Sequence, residues 1–99
     1  MTYTVTIRPL AEQDLAEAED WYQEQRDGLG TEFRMAVDLA ISRLVNNPLA
    51  FPTVHQSVRR AVVKRFPYLL YFAVRGTSVT LLACLHSSRS PRVHRGRTR

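Results

Sequence analysis

Residues 58–74 read VRRAVVKRFPYLLYFAV. Arg59, Arg60, Lys64 and Arg65 take four of the first eight positions, and the nine residues that follow carry no charge. Val, Tyr and Phe dominate, so the stretch predicts two strands, Val58 to Arg65 and Tyr68 to Val74, separated by Phe66 and Pro67. A third run, Ser78 to His86, follows across the tight link RGT. Connections this short make the three strands antiparallel neighbours, because a parallel crossover needs a dozen or more residues.

Upstream, Tyr3 to Arg8 (YTVTIR) alternates and predicts a further strand. From Leu10 to Arg26, Ala11, Leu15, Ala18, Trp21 and Tyr22 recur at three and four, which marks one face of an amphipathic helix. Gly28 and Gly30 end it, and a second helix runs from Thr31, the expected N-cap, to Asn46, with Phe33, Val37, Ala40, Ile41 and Leu44 inward. Asn47 precedes Pro48 and is steered away from helical angles, which stops that helix. LAFPTVHQS, residues 49–57, reads as a loop. The expected fold is therefore α+β: an N-terminal strand, an antiparallel helix hairpin, then a three-stranded antiparallel meander. These form one twisted sheet with the helices on one face.

The chain of 99 residues is read as one domain, 1–99, whose residues from about 88 form a basic C-terminal tail. Its apolar runs YLLYFAV and VTLLACL are far too short for a membrane span, and no secretory signal is visible. One cysteine, Cys84, cannot form an internal disulfide, so a cytoplasmic location is expected. The net charge of +5 conceals a sharper partition. Residues 1–50 hold four Arg against all nine carboxylates, net −5; residues 51–99 hold ten Lys and Arg and no carboxylate, net +10. Such a half calls for a polyanion or an acidic partner, or for pairing with the acidic helices.

Along the last strand Val79, Leu81, Ala83 and Leu85 share one face, and Thr80, Leu82, Cys84 and His86 the other. The wholly apolar set is expected to meet the helices, leaving His86 on the open face. The basic strand has cations on both faces. Cys84 and His86 lack a third ligand at suitable spacing, so neither a metal nor another cofactor is expected.

The segments DLAEAEDWY, LGTEFRMAVDLAISRLVNNPLAFP, VRRAVVKRFPYLLYFAV and LACLHSSRSPRVHRGR, in that order, resemble the RelE/ParE superfamily of toxins from bacterial type II toxin–antitoxin pairs. The resemblance runs from Tyr3 to about Arg97. It implies a small toxin held inactive by a cognate acidic antitoxin, whose C-terminal segment wraps around the hairpin and sheet, with a homodimer or a toxin–antitoxin hetero-oligomer as assemblies. Trp21 and Tyr22 are candidates for the antitoxin-binding surface; core packing is their plainer reading.

The superfamily divides by target: one branch cuts mRNA on the ribosome through a basic cluster, while the ParE branch poisons DNA gyrase without chemistry. A metal-independent nuclease needs proton transfer and charge neutralisation at a phosphate; His86 would supply the first, and Lys64, Arg65 and Arg89 the second. The nuclease branch commonly carries a C-terminal tyrosine or histidine beside several lysines, whereas this chain has one Lys. RFPY and H..R.P are more similar to ParE. In that reading Arg59, Arg60, Lys64, Arg65, Arg89 and Arg92 are candidates for binding the target or nucleic acid. Plasmid stabilisation and growth inhibition would be the biological setting. A non-toxic nucleic-acid-binding module is a third reading.

Overall fold

The computed structural model describes residues 2–88. β1 (Thr4–Ile7) leads into α1 (Pro9–Gln25), which a three-residue turn ending on Gly28 joins to α2 (Leu29–Asn46). A 3-10 turn, Pro48–Ala50, precedes four strands: β2 (Thr53–His55), β3 (Val58–Val62), β4 (Tyr68–Arg75) and β5 (Ser78–His86). They form one five-stranded sheet in the order β1-β5-β4-β3-β2. β1 is parallel to β5, and the other neighbours are antiparallel. The expected α+β architecture holds, with a fifth strand added. β2 lay hidden in the expected loop because it is three residues long, follows Pro52 and lies at an edge.

α1 opens on Pro9, whose fixed φ suits the first helical position. It buries Ala11, Leu15, Ala18 and Tyr22 at spacings of four, three and four. Trp21 belongs to the expected inner face but is 54% exposed, because it leads Tyr22 by one residue, about 100° of helix. α2 buries Phe33, Val37, Ala40 and Leu44. It starts at Leu29, two residues before the expected cap, and its N-cap position is Gly28 at φ +87, a left-handed conformation that glycine adopts without strain. Thr31 is not the cap. Gln23 of α1 does that work across the turn, its Oε1 accepting the N–H groups of Gly28 and Gly30 at 3.1 and 3.2 Å. Gly30 is also where the helices approach closely. A Cβ there would stand 2.7 Å from the Glu19 carbonyl oxygen.

Both helices cover one sheet face. Their buried stripes pack on Ala61, Val63, Phe66, Leu70, Phe72, Val79, Leu81 and Cys84. At the heart of this layer Tyr22, Phe33, Phe66 and Tyr68 meet at ring-centroid separations of 4.9 to 6.0 Å, several of them edge-to-face. A second cluster on the opposite face, Val58, Tyr71, Leu82, Ala83 and Leu85, comes wholly from strands.

The split between the clusters contradicts simple pleat alternation along β5. Tyr71 pairs with Ala83 and Phe72 with Leu81, so Leu82 is an extra residue, a β-bulge. Before the bulge Val79 and Leu81 meet the helices as expected; after it Cys84 faces them, while Ala83 and Leu85 turn away. His86 is carried with Cys84 to the helix side, not to the open face. The bulge also coincides with the end of β1. The last β1-side bond on β5 is from the Arg8 N–H to the Leu81 carbonyl, after which the Cys84 N–H donates to Asp14 Oδ2 of α1 at 3.0 Å. A helix side chain thus continues the hydrogen bonding that β1 began.

Candidate functional site

β3 ends at Val62, three residues short of the expected Arg65, and the four cations separate accordingly. Arg59 faces the helix side, where its Nη1 donates to the carbonyls of Phe51 (2.6 Å) and Leu49 (3.3 Å) and ties down the 3-10 turn. Arg60 is exposed on the opposite face, directly across from Tyr71. Burial pushes the Tyr71 phenol pKa up, and the neighbouring Arg60 charge opposes the shift. Lys64 and Arg65 occupy the β3–β4 turn beside α2, and both are exposed. Arg65 has φ +74 and reaches Glu32 at 3.3 Å. This pair joins the basic half to the acidic half, whereas Arg26–Glu32, Arg34–Glu12 and Arg34–Glu19 stay within the first.

His86 ends β5 on the flank of α1. Its Nδ1 accepts the Ser88 N–H at 3.1 Å and lies 2.8 Å from Ser88 Oγ. The ring stands edge-on to Tyr68 at 5.4 Å. It borders a cavity of about 220 Å³ whose other walls include Asp14, Glu17, Trp21, Tyr68 and Cys84. Two carboxylates and a thiol thus line the same cavity as the candidate proton-transfer group. Burial, and then the Asp14 charge, push the Cys84 thiol up to about 12, so it is a neutral, unreactive group at ordinary pH.

The sequence-derived candidates therefore do not converge. His86 lies on the α1 flank, Lys64 and Arg65 on the α2 flank, Arg60 on the far face, and Arg59 is engaged with the backbone. The aromatic cluster fills the space between the flanks. Arg89 and Arg92 lie outside the described residues, as does most of the expected basic tail. Of the antitoxin-binding candidates, Trp21 is accessible and Tyr22, 9% exposed, is core. Among the described residues no group of three or more His, Cys, Asp or Glu is placed to hold a metal ion.

Sequence reading missed a groove of about 290 Å³ on the α2 flank, floored by Met35, Ala36 and Leu39 and bordered by Glu32, Arg43, Lys64 and Arg65. The signal was present: Met35 and Leu39 are four apart and fall off the inner stripe of α2.

A two-helix hairpin on one face of a five-stranded mixed sheet is the architecture of small bacterial toxins of the RelE/ParE superfamily, and the comparisons agree. The family described as "ParE toxin of type II toxin-antitoxin system, parDE" matches residues 5–91, and the chain belongs to that family. The fold is similar to a chain of the solved "Chromosomal ParDE TA system from P. aeruginosa", with a TM-score of 0.76 and 17% identity. That match covers 86% of this chain and 96% of the other. A search of curated proteins finds no sequence match. As a ParE-family toxin the chain has an antitoxin as its counterpart. No helix among the described residues is long and apolar enough to cross a membrane.

Proposed function

We propose that this toxin arrests growth by binding DNA gyrase and not by cutting mRNA. The observation that carries the reading is the setting of His86. RNA cleavage needs the proton-transfer group and the cations around one phosphate. His86 instead shares its cavity with Asp14 and Glu17, whose charges repel a phosphodiester, while Lys64 and Arg65 lie across the hairpin. A poison that acts by occupying a protein surface needs no such assembly. Cytoplasmic action and a role in plasmid stabilisation accord with a gyrase target. Arg60, on the face away from the helices, Lys64 and Arg65, at the turn, and Arg75, at the end of β4, are among the exposed cations available to such a target.

Expression of the chain alone, followed by pulse labelling of DNA, RNA and protein synthesis, tests the proposal. DNA synthesis should fail first, and His86→Ala should remain toxic. Early failure of translation with cleaved messages, abolished by His86→Ala, would establish the nuclease reading instead.

A further inference from the structure

The cavity on the α1 flank gathers negative charge and aromatic surface in one place. Asp14, Glu17 and Trp21 are three and four residues apart, so α1 presents them on one face. β4 adds Tyr68, and β5 adds Leu85 and His86. The chain has 14 Lys and Arg, yet none of those among the described residues lines this cavity. Glu12, Glu19 and Glu32 are each met by an arginine. Glu17 is not: its one side-chain partner among the described residues is the Gln13 amide, which donates to its Oε1 at 3.2 Å. Asp14 is fixed in the wall by the Cys84 N–H, which its Oδ2 accepts at 3.0 Å. Trp21 is 54% exposed, but its indole stands edge-on to Tyr22 at 5.1 Å, a contact that holds the ring in place.

We propose that this cavity binds a small organic cation, a guanidinium or primary ammonium group carried on a short alkyl chain. Carboxylates beside aromatic rings attract such a group twice over, because the formal charges and the ring quadrupoles act in the same direction. Glu17 and Asp14 place the charged head, while the rings of Trp21 and Tyr68 and the side chain of Leu85 take the alkyl stem. The volume of about 220 Å³ lies below the roughly 300–1,000 Å³ of ordinary ligand clefts, which limits the occupant to a small molecule. A metal ion is a poorer occupant, since among the described residues no group of three or more His, Cys, Asp or Glu is placed to hold one. Anions are repelled by the same two carboxylates. The assignment does not depend on which target the toxin attacks.

Trp21 is the only tryptophan in the chain, so its fluorescence reports on the cavity directly. The full chain is titrated at constant ionic strength with butylguanidinium and with butylurea, which has the same shape and no charge. Butylguanidinium should change the Trp21 emission saturably at or below about 10 mM, and butylurea should bind at least roughly tenfold more weakly. Glu17→Gln should weaken the cation roughly tenfold. Glu24→Gln, which alters an exposed α1 carboxylate outside the cavity lining, should leave binding unchanged, with circular dichroism the same in both variants. Trp21→Leu, followed by calorimetry because the fluorophore is gone, should weaken the cation by roughly threefold. Equal binding of butylguanidinium and butylurea, equal losses in Glu17→Gln and Glu24→Gln, or no saturable response at all would overturn the proposal. Tighter binding of a blocked Gly-Arg-Gly peptide than of butylguanidinium would make the ligand an arginine side chain and overturn the assignment to a free small molecule.

Discussion

The two flanks of the helix hairpin rest on the same aromatic core and have opposite chemistry. On the α1 side, Asp14 and Glu17 share a cavity with His86, Tyr68 and an inert thiol, and Asp14 also completes the sheet by taking the Cys84 N–H. On the α2 side, exposed Met35 and Leu39 lie under a basic border that includes Arg65 at a left-handed φ. One flank uses its charges to finish the fold. The other leaves apolar surface and positive charge unfinished, as a surface awaiting a partner does. Net charge alone would have assigned function to every cation; the contrast shows that position in the sheet and hairpin sorts them.

The largest test removes what the flanks share. Phe33, fully buried, contacts Tyr22, Phe66 and Tyr68. Phe33→Ala should cost about 3–5 kcal/mol in denaturant unfolding and loosen both flanks together. A loss confined to one flank would show that they do not depend on a common core.

Asp14→Ala should act on the α1 flank alone. It leaves the part-buried Cys84 N–H without its acceptor and should cost about 1–3 kcal/mol, whereas Asp14→Asn, which keeps a carbonyl oxygen, should cost less. Amide exchange at Cys84 should quicken in the alanine variant, with exchange in α2 unchanged.

The thiol gives the same flank a pH signature. Cys84 is raised from 9.0 to about 12 in the fold, chiefly by burial. Its contribution to stability is therefore complete below pH 9.0 and is lost as pH climbs toward 12. Burial raises Tyr22 and Tyr71 as well, which adds to the alkaline loss. The melting temperature should fall across that window, and Cys84→Ala should fall less. Alkylation of native protein at neutral pH should be negligible and become rapid on unfolding.

The smallest effect belongs to the α2 flank. Arg65→Gly loses an exposed ion pair but relaxes a positive φ, so stability in denaturant unfolding should change by no more than about 0.5 kcal/mol. Substantial destabilisation would make Arg65 a structural residue and not a recognition residue.

Much of the fold was legible in the chain. Helical spacing located both inner stripes, and the short links around RGT dictated the antiparallel meander. What escaped was non-local. The side chain that caps α2 is Gln23, reaching across from the preceding helix, so Thr31 looked the better cap by local rules. The bulge at Leu82 was invisible because LLACL is apolar on both faces of the sheet, and a skipped position leaves no break in the pattern. That one extra residue moved His86 from the expected open face to the helix flank. The scattering of the basic candidates followed from β3 ending at Val62, where a turn replaced the last residues of an expected strand.

The central claim is that the toxin acts without the chemistry of His86. The most direct measurement incubates the purified chain, and separately its His86→Ala variant, with DNA gyrase on relaxed plasmid and with messenger RNA on translating ribosomes. The account predicts equal loss of supercoiling with both proteins and intact RNA. Undisturbed gyrase, with RNA cut by the wild-type chain and spared by the variant, would contradict it.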